Sequence, residues 1–405
     1  MRPRASTREA HMSYEAPFAG LKVIDLAQGV AGPYCGMLLA QHGANVIKIE
    51  PTGEGDWART LGRRYGAHTA YSIPTNLGKR SIAVDLKSEA GKDVLWRLID
   101  GADVLLEGFR PGVLDRLGFG YDRVSQREPR ILYLSVSGFG QNGPLAGRPA
   151  MDPVLQAFTG LMIDNKGEDG IPHRVPFVVI DMSTGLYAFQ ALSAALYARR
   201  DADHGRRIEV SLLQAASAMQ VIRMIMVYCE GEQIRRAMPS GVFETADGWL
   251  QFLVIRNDSW VRFCRIVLDM PELAADPRFA DADARMSHEA ALMGIVRSAI
   301  AKKPTAYWAE RLHEADIMHE RLNTFAEFLR SPQVDATGLI SWLSVDGAPK
   351  PVPIPNLAGV VPSAEGAPRG ITPRLGEHTR EVLCEHDFTA RDIAALIERR
   401  IVEQA

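Results

Sequence analysis

The loop Gln28-Gly29-Val30-Ala31-Gly32-Pro33 follows the first apolar run of the chain, where a dinucleotide fold holds a pyrophosphate. Glu50 ends the next apolar run, where an acid would bind a ribose hydroxyl. A nicotinamide enzyme is therefore the first chemistry to weigh. Its fingerprint fails twice: the glycines follow G-x-x-G rather than G-x-G-x-x-G, and Pro33 removes an N–H that a phosphate-binding helix start would offer. Alone, Gly32-Pro33 reads as a helix start with no ligand. The loop gains weight from its company. Asn76-Leu77-Gly78-Lys79-Arg80-Ser81-Ile82 leads to Asp85-Leu86-Lys87, and Glu107-Gly108-Phe109-Arg110-Pro111-Gly112 leads to Arg116-Leu117-Gly118. Ser137-Gly138-Phe139-Gly140-Gln141-Asn142-Gly143-Pro144 is the third such segment. With no Gly-x-Ser-x-Gly elbow and no paired ligand motif, hydrolase and metal-dependent chemistries find no residues, and no metal ligand is predicted.

These loops need a scaffold, and the hydrophobic pattern supplies one. Short apolar runs at Lys22–Leu26, Asn45–Ile49, Ser81–Asp85, Asp103–Leu106, Ile131–Val136 and Phe177–Ile180 alternate with amphipathic stretches, which predicts a doubly wound parallel sheet. A helix opens near Pro33 and closes at Gly43; a second starts near Ser88 and puts Val94, Leu95, Leu98 and Ile99 on one face. The longest helical signal follows Asp181 and ends before Gly205. Asp181 itself, after an apolar run, reads as the cap of that helix. Beyond Tyr228 the texture changes to a smaller α+β pattern. Between Val345 and Leu375 stand seven prolines and four glycines, which predicts an extended connection, and Thr389 with Asp392 opens a final helix. The division expected is a disordered extension over 1–18, a large domain over 19–215, a linker helix over 216–240, a small domain over 241–344 and a Pro-rich return with a C-terminal helix over 345–405.

The chain has 405 residues, 46% of them hydrophobic, enough for two domains or one elaborated one. Forty-six Lys and Arg against 49 Asp and Glu leave no global field to hold nucleic acid or an anionic membrane, so neither is expected as a partner. The four cysteines lie far apart, which fits a reducing cytoplasm. No uncharged apolar run is long enough to span a bilayer.

Taken in order, these segments resemble the class III CoA-transferases of the CaiB/BaiF type, the family of formyl-CoA transferase, carnitine CoA-transferase and the related α-methylacyl-CoA racemases. The likeness runs from Gly20 to about Leu213. It resumes at Thr245-Ala246-Asp247-Gly248-Trp249, Asp276-Pro277-Arg278-Phe279 and Leu375-Gly376-Glu377-His378-Thr379. The fold it implies is a Rossmann-like large domain built from both chain ends, with a small α+β domain between, in an interlocked ring-like homodimer. The activity it implies is transfer of CoA from an acyl-CoA to a small or medium carboxylic acid. CoA is then a substrate and no cofactor stays bound. Asp181 falls on the catalytic aspartate. Gln28, Val30, Ala31, Val84, Lys87, Gly108, Phe109, Arg110, Arg116 and Ser137 fall on CoA-contacting positions, with Ala31 near the thiol end, Phe109 beside the adenine, and Lys87 and Arg116 toward the phosphates. Lys79, Arg80 and Arg110 could add charge, although an exposed Lys or Arg is as readily a solvated surface group.

The implied reaction begins with attack of Asp181 on the donor thioester and passes through a mixed anhydride and an aspartyl-CoA thioester. An aspartate with a reference pKa of about 3.9 is already ionised at neutral pH, so activation is expected to rest on position and dryness. Glycine backbone from Ser137 to Gly143 could approach the reacting carbonyl and offer N–H groups to its oxyanion. Departures from formyl-CoA transferase, which has His, Gln, Asn and Lys where this chain has Gln28, Val30, Gly108 and Ser137, argue against formyl or oxalyl specificity. Two alternatives stay open. A racemase needs an acid and a base straddling the α-carbon, and Arg148-Pro149-Ala150-Met151-Asp152 carries methionine in place of the racemase histidine, although Glu107-Gly108-Phe109 reads like the racemase version and His173 lies nearby in sequence. A noncatalytic CoA-binding protein would need no carboxylate at Asp181. Met151, Met162, Met182, Leu212, Met219, Met224 and Met226 could form a soft acyl pocket or ordinary core.

Overall fold

The computed structural model describes residues 15–167, 169–231 and 237–405. Six parallel strands form its main sheet: β1 (Lys22–Asp25), β2 (Asn45–Glu50), β3 (Arg80–Val84), β4 (Val104–Glu107), β5 (Leu132–Ser137) and β6 (Arg206–Ser211), in the order β3-β2-β1-β4-β5-β6. Successive residues of β1 face opposite sides. Val23, with Val46 and Val104, packs under α1 (Ala31–Gln41); Ile24, with Ile47 and Leu105, packs under α2 (Glu89–Ile99). Ser88 caps α2 by accepting the Gly91 N–H, and Val94, Leu95, Leu98 and Ile99 are its buried face, as the pattern predicts.

Two helices complete the setting of the site. These are α3 (Asp152–Phe158) and α4 (Val179–Arg199), the second sharing the α1 face of the sheet through Ile180, Ala188 and Leu192. Phe177–Ile180 is therefore not a strand. Val179 begins α4, and the sixth parallel strand is Arg206–Ser211. A four-residue apolar run has no period to separate strand from buried helix. The real strand lies at the sheet edge with Arg206, Arg207 and Glu209 exposed, which hid it.

Beyond β6 come α5 (Leu212–Met219) and α6 (Val221–Glu230), so the stretch expected as one linker helix is broken at Gln220, and residues 232–236 lie outside the described residues. Ile222–Thr337 form a compact unit of their own. Its antiparallel sheet, β7 (Ser240–Glu244), β8 (Trp249–Leu253) and β9 (Met318–Arg321), shares a core with Trp260, Phe263, Phe279 and Trp308. Gly338–Ala405 rejoin the first unit. In the Pro-rich return Val352–Pro355 pairs with Ile340–Leu343. The capping box predicted at Thr389 and Asp392 opens α7 (Ala390–Glu398), and β10 (Val402–Glu403) pairs antiparallel with β3. Of the extension expected to be disordered, residues 1–14 lie outside the described residues. Phe18, at its end, is ordered: its N–H donates to the His42 carbonyl and its ring meets Phe189 edge-on. Among the described residues no single helix is long and apolar enough to cross a membrane.

From β1 the chain winds one way along the sheet and from β4 the other. The loops leaving their C-terminal ends diverge and open a crevice, the place where doubly wound sheets bind ligands.

Candidate active site

That crevice is a cavity of 590 Å³ within the first unit, lined by Gln28, Val30 and Ala31 after β1, by Gly108, Phe109 and Arg110 after β4, by Ser137 at the end of β5 and by Asp181 in the first turn of α4. The size suits a small-molecule site. Eight residues singled out in the sequence thus meet in one cavity, drawn from positions spread over more than 150 residues of chain. Trp57, Val136, Arg148, Met151, Val154 and Leu212 are among the other residues of the lining.

A buried charge network sets the first loop. Asp56, fully buried, accepts the Gly29 and Ala58 N–H groups on Oδ1 (2.8 and 2.9 Å) and the Lys48 ammonium on Oδ2 (2.9 Å). Gly29 sits at φ +83°, and a Cβ there would come 2.0 Å from the Trp57 ring, so only glycine lets the indole lie against the loop. The Asp56-Trp57 pair was missed in the sequence, where its one signal was an aspartate placed to cap a short turn. On the other side, Glu107 accepts the Phe109 N–H at 2.8 Å, and burial pushes this carboxyl up to about 7. The Ser137 hydroxyl is buried and has no hydrogen-bond partner within the described chain, a donor left for a ligand.

Asp181 is 8% exposed. It does not cap α4: it is the third helical residue, and the cap comes from Asp152, whose Oδ2 accepts the Ile180 and Asp181 N–H groups at 2.7 and 3.1 Å. Burial, and then the negative charge of Asp152, push the Asp181 carboxyl up to about 7. The expectation that its proton affinity would be ordinary is thus overturned. The causes are burial first and then the second carboxylate that already occupies the helix start. Among the described lining residues Asp181 is the only acid, and Arg110 and Arg148 are the only cations.

Other sequence-predicted residues lie elsewhere. Lys79 is buried beneath the first loop, its ammonium 2.7 Å from Asp25 Oδ2 and 2.7 Å from the Pro33 carbonyl, so it is a structural cation and not a phosphate ligand. Arg80 is spent on Glu381 and Glu385. Val84 is 1% exposed inside the α2-side core and offers no side-chain surface. Lys87 is exposed outside the cavity; Arg116 is exposed too, its guanidinium over Gly112 beside the cavity rim. Of the methionine set only Met151, with Leu212, lines the cavity. His173 is 54% exposed, near Asp169 and away from the lining.

A model of CoA-transferase family III matches residues 18–379. An acetyl-CoA:oxalate CoA-transferase of Acetobacter aceti is 37% identical over 335 residues, covering 80% of this chain and 86% of that one. A succinate–glutarate CoA-transferase of Agrobacterium fabrum is 32% identical over 391 residues, covering 93% and 97%. The crystal structure of a CaiB/BaiF family protein from Brucella suis matches with a TM-score of 0.80 at 29% identity, over 92% of this chain and 100% of that one. A match of that extent, on a chain whose loops and buried aspartate converge on one crevice, identifies this protein as an enzyme of CoA-transferase family III.

Proposed function

We propose that the protein transfers CoA from an acyl-CoA to a small or medium carboxylic acid, with Asp181 as the nucleophile. The observation that carries this reading is the single buried carboxylate among the described residues of a cavity otherwise lined by glycine-rich loops, apolar side chains and two arginines. The Asp181 oxygen attacks the thioester carbon and the C–S bond breaks, leaving a mixed anhydride and CoA thiolate. The thiolate then attacks the aspartyl carbon, the anhydride C–O bond breaks, and the donor acid departs. The acceptor carboxylate repeats the sequence in reverse on the aspartyl-CoA thioester, which regenerates Asp181 and releases the new acyl-CoA. α1 opens at Ala31 with no side-chain cap, so the N–H groups of Ala31 and Gly32 are available to the thioester oxygen, and the Ser137 hydroxyl adds a third donor. Arg110 and Arg148 offer positive charge to an acceptor carboxylate. Gln28, Val30, Gly108 and Phe109 shape the CoA channel, with Lys87 and Arg116 outside it toward the phosphates. The same reading takes the interlocked homodimer from the family likeness and a reducing cytoplasmic setting from the widely spaced cysteines. Val84 drops out of it.

The racemase alternative is weaker because the described lining holds one acid-base group where proton transfer across two faces needs two. Incubation in deuterium oxide separates them: transfer without deuterium at the α-carbon is expected, and α-exchange without transfer would reverse the assignment. With Asp181 raised to about 7, only the ionised fraction attacks. The free-enzyme profile of kcat/KM is therefore expected to rise with pH through about 7 and level off above it. An acid limb centred near 4 would show that burial does not govern the nucleophile.

A further inference from the structure

Asp152 has so far only served as a cap, yet its environment asks for more than a cap. It is 1% exposed and opens α3 directly after Met151 of the cavity wall. One oxygen accepts the Ile180 and Asp181 N–H groups; the other accepts the Gln156 amide at 2.6 Å. Gln156 in turn grips the segment entering α4, accepting the Val175 N–H at 2.9 Å and donating to the Val175 carbonyl at 3.3 Å. The entry to α4 is thus held by α3 at two points, five residues apart. α4 has no side-chain cap of its own, since Val178 stands at that position. A serine or asparagine would satisfy such N–H groups about as well as an aspartate. The chain instead places a second carboxylate beside the one that reacts, in a buried site where like charges oppose each other.

We propose that Asp152 is the positioning residue of this site: it fixes the Asp181 backbone so that the nucleophilic carboxylate projects into the cavity, and its charge makes that carboxylate a stronger nucleophile. The inference rests on the reading of Asp181 as the nucleophile. The charged group that acts on Asp181 is Asp152 from α3; Arg110 and Arg148 are the other charged residues lining the same cavity. α1, β5 and α5 present Ala31, Ser137 and Leu212 to the cavity, none of them charged. Removing the Asp152 charge therefore leaves burial alone to raise the Asp181 carboxyl.

The test compares Asp152→Ala and Asp152→Asn with the wild type, after the wild-type Asp181–CoA adduct has been observed; if that adduct never forms, the functional reading fails and not this one. Asp152→Ala loses both the anchor and the charge. A misplaced nucleophile predicts a fall in kcat of about 100-fold with KM for the acyl-CoA changed less than about threefold. Asp152→Asn keeps an oxygen for the two N–H groups. It should recover most of that kcat while its acid limb moves to lower pH, because the repelling charge is gone. Asn also turns an amide toward Gln156, so the limb and not the melting point is the reading. An unshifted limb in Asp152→Asn, or Asp152→Ala within twofold of wild type, overturns the proposal. Should Asp152→Ala fail to fold, the limb of Asp152→Asn decides alone.

Discussion

Asp181→Asn is expected to lower transfer by roughly 10⁴-fold or more and, at pH 8, to raise the melting temperature. The amide fills the same space but cannot form an anhydride with the donor acyl group. The stability gain follows from linkage. Burial and Asp152 raise the folded-state pKa of Asp181 to about 7, above the unfolded value of about 3.9, so the folded chain holds the proton more tightly. Between about pH 4 and 7 the folded state binds more protons than the unfolded one, and stability falls as pH rises through that window. Above it the wild type carries the full cost of a buried, repelled carboxylate. Asparagine carries none. Thermal unfolding at pH 4 and pH 8 is expected to show no advantage at the lower value and a clear one at the higher. Loss of stability at pH 8 would mean that the Asp181 charge is paired in solution in a way its buried surroundings do not suggest. A residue kept at a cost to folding is what a reactive group in a dry site requires.

Lys79→Met is expected to destabilise the protein by about 3–5 kcal/mol, a fall of roughly 4–6 °C in melting temperature, with or without CoA present. The ammonium and Asp25 are both fully buried, and Asp25 also accepts the Ala27 N–H that starts the first loop. Deleting the cation strands a carboxylate in the core under α1. Gly36 shows how tight that core is, since a Cβ there would lie 2.5 Å from Asp25 Oδ2 and 3.0 Å from Lys79 Nζ. The paired change Asp25→Leu with Lys79→Met removes both charges and should recover much of the loss, because replacing a buried pair by apolar groups is often neutral. Thermal denaturation of the four proteins measures this directly. A stable Lys79→Met that merely binds CoA less well would return Lys79 to the CoA site, to which the sequence alone allows it to add charge.

That contrast shows what the sequence could reveal. β1, α1 and β2 are legible because Pro33 and Gly43 punctuate them, and α7 because Thr389 and Asp392 form a local capping box. The meeting of Gln28, Phe109 and Ser137 is legible because each follows an apolar run, and a doubly wound order brings such ends to one crevice. Asp181 is placed with them only by the family resemblance, since the run before it is the start of α4 and not a strand. Lys79 misled because a lysine in a Gly-Lys-Arg segment looks solvent-facing. Its partner Asp25 is 54 residues away and belongs to a neighbouring element, a relation that periodicity does not carry. Asp152 was hidden for the same reason: its target N–H groups are 28 and 29 residues downstream. Trp57 is visible as a site residue only once Gly29 is seen to leave it room.

The central claim is that CoA becomes covalently attached to Asp181 during turnover. Peptide mass spectrometry after incubation with a panel of acyl-CoAs tests it most directly, with Asp181→Ala treated in parallel. The predicted result is a CoA adduct on the peptide containing Asp181, removed by hydroxylamine and absent from the variant, and the donor that forms it names half the reaction. Turnover of a donor and an acceptor with no adduct on Asp181, or an adduct that persists in Asp181→Ala, would contradict the account.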